Sequence, residues 1–370
     1  MKRILILMGR YLPGYKDGGP LRTIINVTEA LGDEYEFHIA ALDRDHGDTA
    51  PYPGISYNTW NCVGKAKVWY VQPGGFTTEL LLKLADGMDI IYLCSFYDPY
   101  GYKTLLLKKA KKIKCPVALA SMGVFSKQAL ASKSIKKSVF ITGCKLLGLF
   151  RDITWSVTSN LEADDVKRVI GKNIRYVVAE DIPRSQVPGL QEKADGPLKI
   201  VFLSRICEHK NLALAIDAVK AMNDSSVEFT ICGPVYEEDY WELCKKKLDE
   251  LTCKWTYAGD IPSEQVQEIL AQHDAFILPT QSENYGHVIF EALSVGCIPL
   301  ISDRTPWQSV ADAGAGYVLP MEVQAFASAL NALSRMCPEE RKALAEAGVA
   351  LANAKLLETR ETTGYRKIFC

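Results

Sequence analysis

Glu283 and Glu291 stand eight residues apart in the stretch SENYGHVIFEALSVGC, with Asn284, the turn residue Gly286 and a helix start between them. A helix N-terminus presents free backbone N–H groups and the positive end of the helix dipole. The amides of Tyr285, Gly286 and His287 can therefore cradle a phosphate. Glu291 lies about five residues deeper, ~7–8 Å along the axis at 1.5 Å per residue, and Glu283 precedes the amides. A charged acceptor makes the stronger hydrogen bond to a hydroxyl. The order is then hydroxyl reader, phosphate cradle, hydroxyl reader, which suits the sugar, diphosphate and ribose of one nucleotide-sugar. A carboxylate inside FEALSVGC is costly to bury without a partner, which favours a functional role for Glu291 over a satisfied polar residue in an apolar helix.

Three other strand ends carry residues of the same kind. In LSRICEHKN, Arg205 and Lys210 flank a short loop and Asn211 can cap the next helix, so two cations sit beside a helix N-terminus. Taken alone, they read more readily as surface charge around a loop than as an anion site. In TICGP, Gly233 ends a strand with a tight turn that a ligand can approach. In TYAGDIP, Asp260 and Ile261 follow another strand end, where a flat ligand edge could meet the backbone; an ordinary strand-to-helix turn reads the same way. Together these pieces resemble the retaining glycosyltransferases of family 4. ENYGHVIFEA is similar to that family's E-G-F-G-L-x-x-L-E-A, and SRICEHKN to its G-R-L-x-x-x-K-G. The resemblance runs in order through most of residues 198–310. It departs at Ser204, Asn284 and His287, none of which removes a charged group.

The resemblance implies a GT-B architecture, two facing Rossmann-like domains with the donor and acceptor in the cleft between them. It also implies transfer of a sugar from a UDP-, GDP- or ADP-linked donor to a glycan or lipid-linked acceptor with retention at the anomeric carbon, as in cell-surface polysaccharide or glycolipid synthesis. Glu283, Arg205 and Lys210 would be the catalytic residues, the two cations neutralising the leaving diphosphate. Substitution would be front-face, the nucleotide-sugar a substrate, and no metal or other cofactor involved. Gly18 and Gly19, in GRYLPGYKDGGPLRT, match the family's Gly-Gly turn near the donor diphosphate. In ALASMGVFS, Met122 and Gly123 stand where many members place a His or an Arg-Gly pair beneath the sugar. No basic side chain occurs there, so a polar contact must come from backbone or from a neighbour such as Ser121.

The elements that must position these residues are short, nearly all-apolar strands alternating with amphipathic helices. That pattern predicts parallel sheets covered on both faces. In such sheets ligands bind at the carboxyl ends of the strands. A chain of 370 residues is long for one core. The polar stretch around Pro183, Pro188, Gly189, Gly196 and Pro197 reads as a linker. The expected organisation is an acceptor-side Rossmann-like domain at 1–183, a linker at 184–197, a nucleotide-sugar-binding domain at 198–354, and a C-terminal helix at 355–370 packing back on the first domain.

A net charge of −1 argues against nucleic acid as a partner. The eleven cysteines show no C-x-x-C pair and fit reduced thiols in the cytoplasm. The apolar run Ile4–Met8 is too short for a signal peptide, and no run is long enough to span a bilayer. Asp43 and Asp45 spell a D-x-D, read here as chance and not as a metal site. Residues 103–151 carry eleven Lys, one Arg and no acid, mixed with Leu, Ile, Phe and Val. This is either a solvated face or a peripheral contact with an anionic membrane at the inner leaflet. Two rivals stay open: a nucleotide-sugar epimerase of the same shape, which would not need the two glutamates at this spacing, and a non-catalytic nucleotide-sugar-binding protein.

Overall fold

The computed structural model describes residues 1–126, 130, 134–191, 193 and 196–370. The chain divides into two compact units, Met1–Ile182 with Thr359–Cys370, and Pro183–Glu358.

The first unit is built on β1 (Lys2–Arg10), α1 (Gly19–Leu31), β2 (Tyr35–Leu42), β3 (Asn61–Val63), β4 (Ala66–Val71), α2 (Thr78–Ala85) and β5 (Ile90–Leu93). It continues through α3 (Pro99–Lys109), β6 (Val117–Ala120), α4 (Ser134–Leu146), β7 (Thr154–Val157), α5 (Asn160–Ile170) and β8 (Arg175–Val178). The sheet order is β3-β4-β2-β1-β5-β6-β7-β8. Every pairing is parallel except β3 with β4. Ile4 pairs with Phe37 on one side and Ile90 on the other, and the whole run Ile4–Met8 is buried. That burial on both faces is why β1 is continuously apolar where a half-exposed strand would alternate.

The second unit follows the same logic. Its elements are β9 (Lys199–Leu203), a 3₁₀ turn (Glu208–Lys210), α6 (Leu212–Met222), β10 (Glu228–Cys232), α7 (Glu238–Leu248), β11 (Lys254–Gly259), α8 (Val266–Ala271) and β12 (Ala275–Leu278). Then come α9 (His287–Ser294), β13 (Ile298–Ser302), α10 (Ser309–Asp312), β14 (Tyr317–Leu319) and α11 (Val323–Arg335). The order β11-β10-β9-β12-β13-β14 is wholly parallel. Sequence order reverses between β9 and β12, and in sheets of this kind ligands bind outside the carboxyl ends of the strands at such a switch point.

Three regions differ from the expected organisation or add detail to it. Residues 61–71, which no strand pattern marked, hold β3 and β4, joined at Gly64–Lys65 with a positive φ of 55° at Gly64. The following α2 is capped by Thr77, whose hydroxyl accepts from Leu80 N at 3.2 Å. Residues 183–197 count within the second unit instead of standing free: Lys193 Nζ donates to the carbonyls of His273 (2.6 Å) and Gly296 (3.1 Å). At the C-terminus, α12 (Pro338–Thr362) is followed by α13 (Tyr365–Phe369). Tyr365, Ile368 and Phe369 are buried in the first unit, where the Phe369 ring lies 5.7 Å from that of Phe37 and 5.9 Å from that of Tyr92.

Candidate active site

The switch point of the second sheet brings together the loops after β9 and β12. The β12 loop is laid onto the 3₁₀ turn by its backbone: Gln281 N donates to His209 O at 2.9 Å, and Thr280 Oγ1 to the same carbonyl at 3.3 Å. His209 Nε2 lies 3.1 Å from Ser282 O and 3.2 Å from Ser282 Oγ. Burial, and then the adjacent Lys210, push the His209 pKa down, so the ring is neutral at neutral pH. This docking closes the Lys210 ammonium onto the Glu283 carboxylate, two groups 73 positions apart in sequence. Their side chains are only 11% and 13% exposed, so each is the main counter-charge of the other. The spacing predicted separate tasks for them, and the fold couples them.

Arg205 is half-buried, its guanidinium 5.0 Å from the centre of the Tyr236 ring, a cation–π contact. Asn211, expected as a side-chain cap, stands at the head of α6 in the left-handed region (φ 58°, ψ 45°) and makes no side-chain cap bond. Asn tolerates that backbone where most residues do not. Gly233 has a packing reason beyond ligand approach: at φ 128° its Cβ would run into the carbonyl of Ser204. The ends of β9, β10 and β11 are drawn together there, with Gly233 N donating to Gly259 O at 2.7 Å and Tyr257 Oη to Gly233 O at 2.9 Å. Asp260 and Ile261 follow directly and are half-buried.

Helix α9 starts at Gly286, which caps it at φ 81°; a Cβ there would meet Ile289 Cδ1 at 2.9 Å. No side chain caps α9 and its first turn carries no acid, so the chain leaves the positive end of its dipole available to an anion. Of the neighbouring residues, Asn284 is exposed and His287 half-buried. Tyr285 is buried, its ring 4.8 Å from His287 and 5.5 Å from Trp307, whose indole N–H donates to the Tyr285 carbonyl. The tyrosine ring therefore helps to anchor the turn. Glu291 is buried one turn further along. It has a partner that sequence reasoning missed: Arg184 Nε lies 3.6 Å from Glu291 Oε1. Arg184 comes from the stretch expected as a linker, and no motif signal marked it.

The first-unit residues gather around two loops. Gly18 and Gly19 lead into α1 after the switch strand β1, and a Cβ at either would meet nothing within 4 Å. That loop is shaped by Asp45, whose carboxylate accepts from Tyr15 N (2.8 Å), Lys16 N (3.2 Å) and His46 N (2.8 Å). Asp43 pairs instead with Arg44 Nε at 2.8 Å and Tyr57 Oη at 2.6 Å. At the second loop, Ser121 is buried and its hydroxyl donates to Ser156 O at 3.1 Å. Met122 (φ 43°) and Gly123 (φ 71°) both take left-handed backbone. The Gly123 amide donates to the buried carboxylate of Glu162, which also accepts from Thr158 N at 2.6 Å and Thr158 Oγ1 at 2.9 Å. Glu162 also stands in the N-terminal cap of α5, its backbone N–H donating to Ser159 Oγ at 3.2 Å.

With this geometry in view, residues 187–350 match the family model described as glycosyl transferases group 1. A GDP-mannose:cellobiosyl-diphosphopolyprenol alpha-mannosyltransferase of Xanthomonas campestris is 25% identical over 253 residues, covering 66% of this chain and 64% of that protein. The sulfoquinovosyl transferase of Arabidopsis thaliana is 27% identical over 105 residues, 28% of this chain and 19% of that one. The chain thus spans less than two thirds of the length of either curated relative. Among solved structures, sucrose-phosphate synthase of Thermosynechococcus elongatus superposes with a TM-score of 0.76 at 15% identity, over 100% of this chain and 99% of that one. The Anabaena protein HepE in complex with UDP and glucose gives 0.72 at 15% identity, over 98% of each chain. At such identities these likenesses are of fold.

Proposed function

We propose, from the match of residues 187–350 to the group 1 glycosyl transferases, that the protein is a retaining, family 4-type enzyme that moves a sugar from a nucleoside-diphosphate sugar to a glycan or lipid-linked acceptor. The observation that carries this reading is the Lys210–Glu283 pair at the sheet's switch point, beside the uncapped start of α9, with Glu291 deeper in the same helix. One side of that arrangement offers positive charge to a diphosphate, and two carboxylates offer acceptors to hydroxyls on either side of it.

In the reaction so assigned, Glu283 holds the donor sugar's hydroxyls and Glu291 the ribose. Lys210, Arg205 and the amides at Gly286 and His287 face the diphosphate. The bond from the anomeric carbon to the leaving phosphate oxygen breaks while the acceptor oxygen bonds to the same face. The acceptor's proton passes to that phosphate oxygen, and a nucleoside diphosphate leaves. Charge grows on the diphosphate as the bond breaks, so preorganised cations lower the barrier more than they strengthen donor binding. No metal has a role in this scheme, and the rate in EDTA should equal the rate without it. The mannosyltransferase relative's named acceptor, a diphosphopolyprenol, supports a lipid-linked acceptor class.

A panel of UDP, GDP and ADP and their sugars tests the reading by thermal shift, since a ligand at 100 Kd adds about 2.7 kcal/mol of stability. Failure of every nucleotide to bind would end it. Slow donor hydrolysis separates a transferase from a sensor, and unchanged donor stereochemistry separates it from an epimerase.

Contact with an anionic membrane is a second reading, favoured by α4. Ile135, Val139 and Leu146 are 80%, 68% and 85% exposed, and Lys136 and Lys145 beside them are exposed as well. Part of the charge in 103–151 has a local task, because Lys103, Lys108, Lys109 and Lys145 donate to the carbonyls of Phe76, Lys114 and Cys115, Leu147 and Val169. Lys111, Lys112, Lys114 and Lys136 remain as exposed cations; Lys127 and Lys133 lie outside the described residues. Among the described residues no helix is long and apolar enough to cross a membrane.

A further inference from the structure

We propose that Arg184 is a positioning residue for nucleotide recognition, fixing the Glu291 carboxylate so that it can read the ribose hydroxyls. The assignment rests on the reading of the second unit as a nucleoside-diphosphate-sugar site, and adds to it a residue outside the motif.

Arg184 occupies the second position of the second unit. Its guanidinium is a rigid planar fork of donors, and each arm is committed. Nη2 donates to the Ser263 carbonyl at 2.6 Å, and Nη1 to Gln267 Oε1 at 2.9 Å. With the plane thus fixed, Nε faces Glu291 Oε1 at 3.6 Å, with side-chain exposures of 18% and 6%. Gln267 is held in turn: its amide donates to Ser294 Oγ at 2.8 Å and to Gln186 O at 3.3 Å. Ser294 Oγ donates to the Glu291 carbonyl at 2.7 Å. Gln267, Ser294 and Glu291 are all buried. The ring Arg184–Gln267–Ser294–Glu291 therefore joins α8, α9 and the entry segment of the unit.

The physical demand is clear. A carboxylate this deep in α9 needs a counter-charge to stay ionised, and only the ionised form is acceptor-only at both oxygens. A carboxylate has about four lone-pair sites, so one oxygen facing Arg184 leaves acceptor capacity for vicinal hydroxyls. A flexible point charge would neutralise Glu291 as well but would not orient it. Arg184 does both because two of its arms are already fixed.

The test compares calorimetric binding of the preferred ribonucleoside diphosphate with its 2′,3′-dideoxy analogue. Wild type should favour the ribonucleotide. Arg184→Met should weaken ribonucleotide binding about tenfold and leave the dideoxy analogue's affinity unchanged, so that selectivity for the hydroxyls is lost. Arg184→Lys should recover part of that selectivity. Gln267→Leu, which removes one support of the guanidinium and leaves both charges, should show a smaller loss of the same kind and serves if Arg184→Met does not fold. Equal weakening of both ligands, or retained selectivity, would overturn the assignment. If wild type binds no nucleoside diphosphate, it is the underlying reading that fails.

Discussion

Buried carboxylates are managed differently in the two units. In the second, Glu283 and Glu291 each face a cation, Lys210 and Arg184, brought from another loop. In the first, Asp43 faces Arg44, its own chain neighbour, while Asp45 and Glu162 are satisfied mainly by backbone amides and a hydroxyl, and what these two organise is the shape of a loop. Under the proposed function the contrast would match two tasks. A diphosphate is recognised by charge, which needs side chains at defined points. An acceptor bound by the first unit, as the proposed function requires, would meet loops held still by these bonds. Only the second unit's pairs should therefore act on the chemical step, and the first unit's carboxylates should act on stability and acceptor fit.

The sharpest way to break this contrast is Lys210→Ala. It should lower kcat at least ~100-fold, as loss of an oxyanion-stabilising donor does, with a small change in donor KM; a change confined to KM would refute a transition-state role. Next in size is the pH response of Asp181. Burial raises its pKa to about 7, a hydrogen bond from Thr23 works against that, and the charge of Glu162 adds to it. Its Oδ1 also accepts from Tyr365 Oη at 3.4 Å. Because the folded pKa lies above the unfolded one, the folded state holds the extra proton. Stability is then highest at low pH and falls as pH rises toward the folded value. From pH 5 to pH 8 the wild type should lose roughly 2–3 kcal/mol relative to Asp181→Asn, read from denaturant midpoints of the two proteins. Parallel curves would show that the carboxyl does not titrate in this window.

Glu162→Gln should cost about 1–2 kcal/mol, the scale of weakened charge-assisted hydrogen bonds. It should raise acceptor KM while nucleoside-diphosphate affinity, measured by calorimetry, stays put; weakened diphosphate binding would erase the division between the units. The smallest effect concerns the cationic surface. Replacing Lys111, Lys112 and Lys136 with Ser should reduce co-sedimentation with anionic vesicles a few-fold, at about 1 kcal/mol or less per residue, and spare transfer to a soluble acceptor. Wild-type protein that ignores such vesicles at low salt would leave these lysines as a solvated face.

The sequence by itself determined the alternation of buried strands and amphipathic helices, because a parallel strand buried on both faces must be apolar throughout, as Ile4–Met8 and Ala275–Leu278 are. It also singled out Glu283, Glu291, Arg205 and Lys210, through their order along the strand ends and its resemblance to the family 4 glycosyltransferases. What it could not show is who faces whom. The pairing of Lys210 with Glu283 depends on β9 and β12 lying side by side across 73 residues of chain. That of Arg184 with Glu291 spans more than a hundred positions, and began in a segment whose prolines and glycines read as a linker. The roles of Asp45 and Glu162 were hidden for a related reason: their partners are mostly backbone amides, which every residue carries, so no side-chain pattern announces them. Local periodicity records burial, while a contact between distant loops is set by strand order, and only the folded sheet decides that.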